Sequence, residues 1–163
     1  MRVMGVDPGT IRMGVGVVES ISGDLVCRER ICIAPRRSDP IELRLVHLFD
    51  NLKQIIEKAN PDVIAVEEPF VSKNPRTAIA IGQAQAVVLV AAATYKIPIS
   101  RYAPMEIKKS VTDYGGSSKE QVKSMVSILL GNIDIDGPSD VSDALAIAIC
   151  HHSSTMLNNL VME

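Results

Sequence analysis

Short apolar, β-branched runs at 3–7, 13–19 and 25–33 are separated by the turn signals Asp7-Pro8-Gly9-Thr10 and Ser22-Gly23-Asp24, which predicts three consecutive antiparallel strands. Over 40–59 the period changes. Leu45, Leu48, Leu52, Ile55 and Ile56 recur at threes and fours, the spacing of an amphipathic helix that Ser38 or Asp39 can cap. The run 61–67, Pro-Asp-Val-Ile-Ala-Val-Glu, is too short for a helix and reads as a buried strand. A long helix rich in small residues (Gly82, Ala84, Ala86, Ala91, Ala92, Ala93) is expected over 75–95, then a strand over 97–102 and helices over 118–130 and 140–150. The order predicts an α/β fold: a mixed five-stranded sheet, its first three strands antiparallel, with helices packed on it. No repeat or low-complexity segment interrupts it.

Composition narrows the class. The 163 residues are 47% hydrophobic and carry 17 basic against 19 acidic side chains, a net charge of −2, which suits one globular domain and excludes wholesale disorder. The longest purely apolar stretch, 86–93, is far short of the roughly 18 to 20 residues of a membrane span. Charges at Arg2 and Asp7 interrupt any signal-peptide core, so a cytoplasmic protein is expected. Cys27, Cys32 and Cys150 are odd in number, lack CxxC spacing and lie in apolar runs, which reads as core thiols rather than zinc ligands or disulfides.

The charge is unevenly spread. From 69 to 123 there are eight bases and three acids, a local +5, and after Lys123 there are five acids and no base. Two readings are open: a phosphate-binding surface beside a metal site, or the solvated faces of surface helices.

Asp7 and Glu67 each end a strand whose other residues belong in the core, and a buried unpaired carboxylate costs several kcal/mol. Strand alternation puts Glu67 with Val63 and Ala65 and sends Glu68 to the opposite face, so the two glutamates cannot share a site. Asp140 and Asp143 are three apart on a helix and share a face. Gathering Asp7, Glu67, Asp140 and Asp143 would favour hard divalent metals with oxygen ligands. Two Mg²⁺ ions about 3.5 to 4 Å apart suit phosphodiester hydrolysis. The structural alternative for Asp140 and Asp143 is a helix N-terminus that favours acids, with Ser139 as cap. Asp7-Pro8-Gly9-Thr10 also resembles the phosphate loop of sugar-kinase and actin-like ATPases, whose second lobe 163 residues do not supply.

Val6-Asp7-Pro8-Gly9-Thr10, Ala65-Val66-Glu67-Glu68-Pro69-Phe70 with Lys73-Asn74, Ile81-Gly82-Gln83-Ala84, and Asp140-Val141-Ser142-Asp143-Ala144-Leu145-Ala146-Ile147-Ala148 together resemble the RuvC Holliday junction resolvases, from about residue 2 to 150. That resemblance implies a ribonuclease-H-like fold with helices on both faces of the sheet. It implies one nuclease domain over 1–150 and a C-terminal tail over 151–163. Asp7, Glu67, Asp140 and Asp143 would be the catalytic, metal-binding acids, with Mg²⁺ as cofactor, two ions per site, and Mn²⁺ as a substitute. Lys108 and Lys119 would lie near the scissile phosphate. Phe70 would stack on bases of the opened junction, beside Lys73. The products would carry 5′-phosphate and 3′-hydroxyl ends, and a branch-migration helicase complex would be a partner.

Two symmetric nicks require two active sites related by a two-fold axis, hence a homodimer on four-way junction DNA. Small residues on the 75–95 helix would let its mate approach. The sequence pI near 5.9 is low for a nucleic-acid-binding protein, so affinity must rest on the local +5 stretch and be sensitive to salt. His151 and His152 are expected on the surface of a terminal helix. Two other functions share these features. A pre-ribosomal-RNA nuclease of the same fold has a similar opening, with Arg12 and Gly14, but not the Glu67-to-Asn74 block. A non-catalytic junction-binding module would not need all four acids.

Overall fold

The computed structural model describes residues 1–68 and 74–161, the last five as backbone only. The expected sites Phe70 and Lys73 lie outside the described residues. Strands β1 (Arg2–Asp7), β2 (Met13–Ile21) and β3 (Asp24–Ile33) precede helix α1 (Ile41–Ala59), strand β4 (Val63–Glu67), helix α2 (Pro75–Thr94) and strand β5 (Ile99–Tyr102). Helices α3 (Pro104–Thr112), α4 (Lys119–Leu129) and α5 (Ser139–Val161) complete the chain. The sheet runs β3-β2-β1-β4-β5. The first three strands are antiparallel, and β1, β4 and β5 are parallel, so the expected mixed sheet is observed.

Strand alternation builds two cores. Met4, Val6, Ile64 and Val66 point toward α1 and α2, while Val3, Val63 and Ala65 point toward α3, α4 and α5. The second face is the one that matters for chemistry, because Asp7 and Glu67 continue it. Helix α5 lies directly on β1 and β2. A Cβ on Gly5 would stand 2.0 Å from the carbonyl oxygen of Ala144, and one on Gly14 would stand 1.8 Å from that of Asp140. Only glycine permits this approach.

Four local expectations change. Helix α1 is capped at Pro40 without a side-chain hydrogen bond, so neither Ser38 nor Asp39 serves it. Helix α3 is additional: nine residues, with Pro104 in its first turn and Ile107 and Val111 buried, too short for a sustained period to show. Helix α2, counted as a whole rather than by its uninterrupted apolar run, is long and apolar enough to cross a membrane, with mean hydropathy 1.6. Its Ala84, Val88, Ala91 and Ala92 nevertheless pack in the core it shares with α1.

Helix α5 runs on through Cys150 to Val161, and its histidines are not on the surface. His152 is 2% exposed, and its Nε2 donates to the carbonyl of Val18 at 3.1 Å. His151 Nδ1 shares a 2.7 Å hydrogen bond with the Tyr102 hydroxyl. His152 is buried and His151 half-buried because α5 continues along the sheet past Cys150 far enough to reach Val18 and Tyr102. All three cysteines are free, Cys150 buried and the other two half-buried against the core.

Candidate active site

Parallel pairing of β1 with β4 sets Val6 opposite Val66, which brings the strand ends Asp7 and Glu67 side by side on the α5 face. The first turn of α5, seated on Gly14, adds Asp140, and one turn later comes Asp143. Ser139 lies inside the helix rather than capping it, and its carbonyl accepts from the Ser142 hydroxyl at 2.9 Å. Four acids from three distant segments therefore meet at one mouth.

Their electrostatics are strained. Burial, then the charges of Asp143, Glu67 and Asp140, raise the Asp7 carboxyl from 3.8 to about 7, with Lys119 opposing. Burial and Asp143 raise Glu67 also, offset by Lys119 and Lys108. Two cations answer. Lys119 Nζ donates to Asp143 Oδ2 at 3.1 Å, and that hydrogen bond raises the Lys119 ammonium above its usual value. Arg12 Nε stands 3.3 Å from Asp140 Oδ2, an ion-pair distance without hydrogen-bond geometry, so that buried oxygen has no hydrogen-bond partner.

A cavity of about 110 Å³ opens here, lined by Glu67, Asp143, Lys108 and Lys119 among others. The structure thus brings together Asp7, Glu67, Asp140, Asp143, Lys108 and Lys119. Glu68 is exposed and turned away, as strand alternation required. With Asp140 and Asp143 each turned to a cation, no three acids, histidines or cysteines among the described residues converge as a closed metal cage. The donor set still fits hard divalent cations: four carboxylates, one buried oxygen without a donor, and one carboxyl that burial and its acidic neighbours keep from ionising readily.

The sequence pattern did not single out Arg12 for this site or Arg44 at all. Arg44 Nε and Nη2 donate to the Thr10 carbonyl at 3.0 and 2.7 Å, fixing the β1–β2 loop that presents Arg12. The only local signal was an arginine in the loop directly after an acidic strand end.

Residues 3–151 match the family model of crossover junction endodeoxyribonuclease RuvC. This chain belongs to the RuvC family. Among the RuvC relatives, one from Dehalococcoides mccartyi is 42% identical over 163 residues, all of this chain and 98% of that protein. A second, from Desulforamulus reducens, is 43% identical over 93% of each chain. A Thermus thermophilus RuvC solved in complex with Holliday junction substrate superposes with a TM-score of 0.91 at 30% identity, covering 97% of this chain and 96% of the other. A yeast mitochondrial Holliday junction resolvase, 12% identical with a TM-score of 0.68 over 97% of this chain and 82% of that one, shares the fold. The chain is accordingly a RuvC crossover junction endodeoxyribonuclease with a ribonuclease-H-like fold, and its family is metal-dependent.

Proposed function

We propose that the chain resolves Holliday junctions in recombination and repair by paired, symmetric nicks, one from each copy of a homodimer, leaving 5′-phosphate and 3′-hydroxyl ends. The observation that carries this is the gathering of Asp7, Glu67, Asp140 and Asp143 from three segments beside a cavity walled by Lys108 and Lys119, where burial and the neighbouring acids raise the Asp7 carboxyl to about 7. Asp7, Glu67, Asp140 and Asp143 would hold two Mg²⁺ ions, or Mn²⁺ in their place, and the chemistry supplied there would be activation of an attacking water and neutralisation of charge at the scissile phosphate.

The protein's own groups do the positioning. Lys119 releases Asp143 and turns to the phosphate, and Lys108 flanks it from α3. Phe70 stacks on bases at the crossover, and Lys73 holds the backbone beside it. The nuclease domain extends past the expected boundary at 150, because α5 continues through it and sets His151 and His152 against the sheet. The site has no second half of its own, and two opposed strands need two sites. The apolar groove between α1 and α2, lined by Leu45, Val46, Phe49, Ala86, Val87 and Val90, is the surface that a second copy covers. A branch-migration helicase complex is the cytoplasmic partner.

The test uses a mobile four-way junction, a linear duplex and a structured RNA, each with and without Mg²⁺. Symmetric nicking of the junction alone, only with metal, is expected. Preferential cutting of RNA would move the chain to ribosomal-RNA processing, and junction binding without cleavage would leave a binding module.

A further inference from the structure

Met105 and Tyr114 are the most exposed large apolar side chains among the described residues, at 73% and 69%. Both belong to the unit that supplies the basic wall: α3 carries Lys108, α4 opens with Lys119, and Tyr114 lies in the connection 113–118 between them. That connection folds back along α3. A Cβ on Gly115 would stand 3.4 Å from the Met105 carbonyl oxygen, next to Pro104, which lines the cavity.

A lone exposed aromatic is ordinary, but the backbone that carries this one is anchored. The Tyr114 carbonyl accepts from the hydroxyl of buried Ser117 at 2.8 Å and from the Ser117 amide at 3.3 Å, and Ser117 Oγ can in turn accept from Thr112 Oγ1 at 2.7 Å. The ring rests where residue 116 has no side chain: a Cβ there would lie 2.7 Å from Cε1, Cζ and Oη of Tyr114. Fixing a ring before it binds removes part of the ordering cost of association. The helices on either side of its connection carry Lys108 and Lys109 (α3) and Lys119 (α4), the charge that a nucleic-acid backbone seeks.

We propose that Tyr114 stacks on a base at the junction while these lysines hold the adjoining phosphates, with Met105 extending the apolar surface. This rests on the resolvase reading and adds to it a second aromatic contact, on the wall formed by α3 and α4.

The test uses Asp7→Asn protein, which binds without cutting, and junctions carrying 2-aminopurine near the crossover. Tyr114→Ala should weaken binding by roughly 5- to 150-fold, the range for one stacked base, and reduce the fluorescence change on binding. Tyr114→Phe should retain both. Gly116→Ala, which leaves the ring chemistry intact but displaces the ring, should lose part of both and keeps the test valid if Tyr114→Ala folds poorly. Wild-type affinity and fluorescence in Tyr114→Ala would overturn the inference. Equal loss in Tyr114→Phe would do so too, by assigning the contact to the hydroxyl. An altered sedimentation coefficient with unchanged DNA binding would overturn it as well, placing the ring against a second copy. If the Asp7→Asn protein with Tyr114 intact binds no junction, the resolvase reading itself fails.

Discussion

The two ends of α5 make a useful contrast. Both present polar side chains toward the same sheet. Past Cys150 the two histidines are answered: His152 donates to the Val18 carbonyl, and His151 bonds Tyr102 and meets its ring edge-on, with centroids 5.9 Å apart. The Val18 carbonyl needs that donor, because the β2–β3 register shifts between Val17 and Val18 and leaves Arg28 without a partner residue. At the N-terminal end Asp7 has no hydrogen-bond donor among the described residues, and a buried oxygen of Asp140 has none. Partnered polar groups serve packing. Charges gathered with too few partners, Asp143 having only Lys119 and Asp140 only Arg12, are what a bound cation would complete.

The largest effect that sharpens this contrast is expected from Asp7→Asn. Nicking should fall below a few per cent of wild type while junction binding in a gel shift stays near normal. Thermal stability in EDTA should hold or rise, since one of four repelling charges is gone; a large drop would make Asp7 structural. Gly14→Ala should follow. Its methyl would meet the Asp140 carbonyl at 1.8 Å, and overpacking of this kind costs about 1 to 3 kcal/mol. Denaturant titration should show that loss, and nicking by the remaining folded protein should also fall, because Asp140 is displaced.

His152→Ala tests the opposite end. Leaving the Val18 carbonyl unanswered should cost about 1 to 3 kcal/mol in the same titration, with the nicking rate per folded molecule unchanged. A catalytic defect there would erase the distinction between the two ends.

Acidity separates the ends next. The folded-state pKa of Asp7 is raised from 3.8 to about 7, so its contribution to stability is complete below pH 3.8 and is lost as pH rises through 7. Burial lowers the pKa of His151 and His152, so theirs is complete above pH 6.5 and is lost as pH falls below it. Melting curves in EDTA should therefore lose stability on both sides, Asp7→Asn flattening the alkaline limb and His152→Ala the acid one. The smallest effect belongs to the basic wall. Lys108→Ala and Lys119→Ala should each make the slope of log affinity against log salt shallower by about one contact. Unchanged slopes and rates in both would place the lysines off the DNA path.

Much of this was legible along the chain. The alternation through Val63, Ala65 and Glu67 fixed which glutamate faces α5, and the i, i+3 spacing of Asp140 and Asp143 fixed their common face. Helix α3 escaped because nine residues hold too few apolar positions to establish a period. The caps of α1 and α5 escaped because a side chain able to cap competes with neighbours that the sequence does not place.

Local patterning alone determined the strands, the long helices, the family motifs and the identity of the four acids, because each depends on residues close together in the chain. Tertiary structure decided the rest. The sheet order sets Asp7 beside Glu67, glycines at 5 and 14 bring α5 onto the strands, and Lys119 and Arg12 find Asp143 and Asp140. The burial of His152 belongs to the same class. Each depends on the distance between segments far apart in sequence, and that distance is set by how two faces of one sheet are covered.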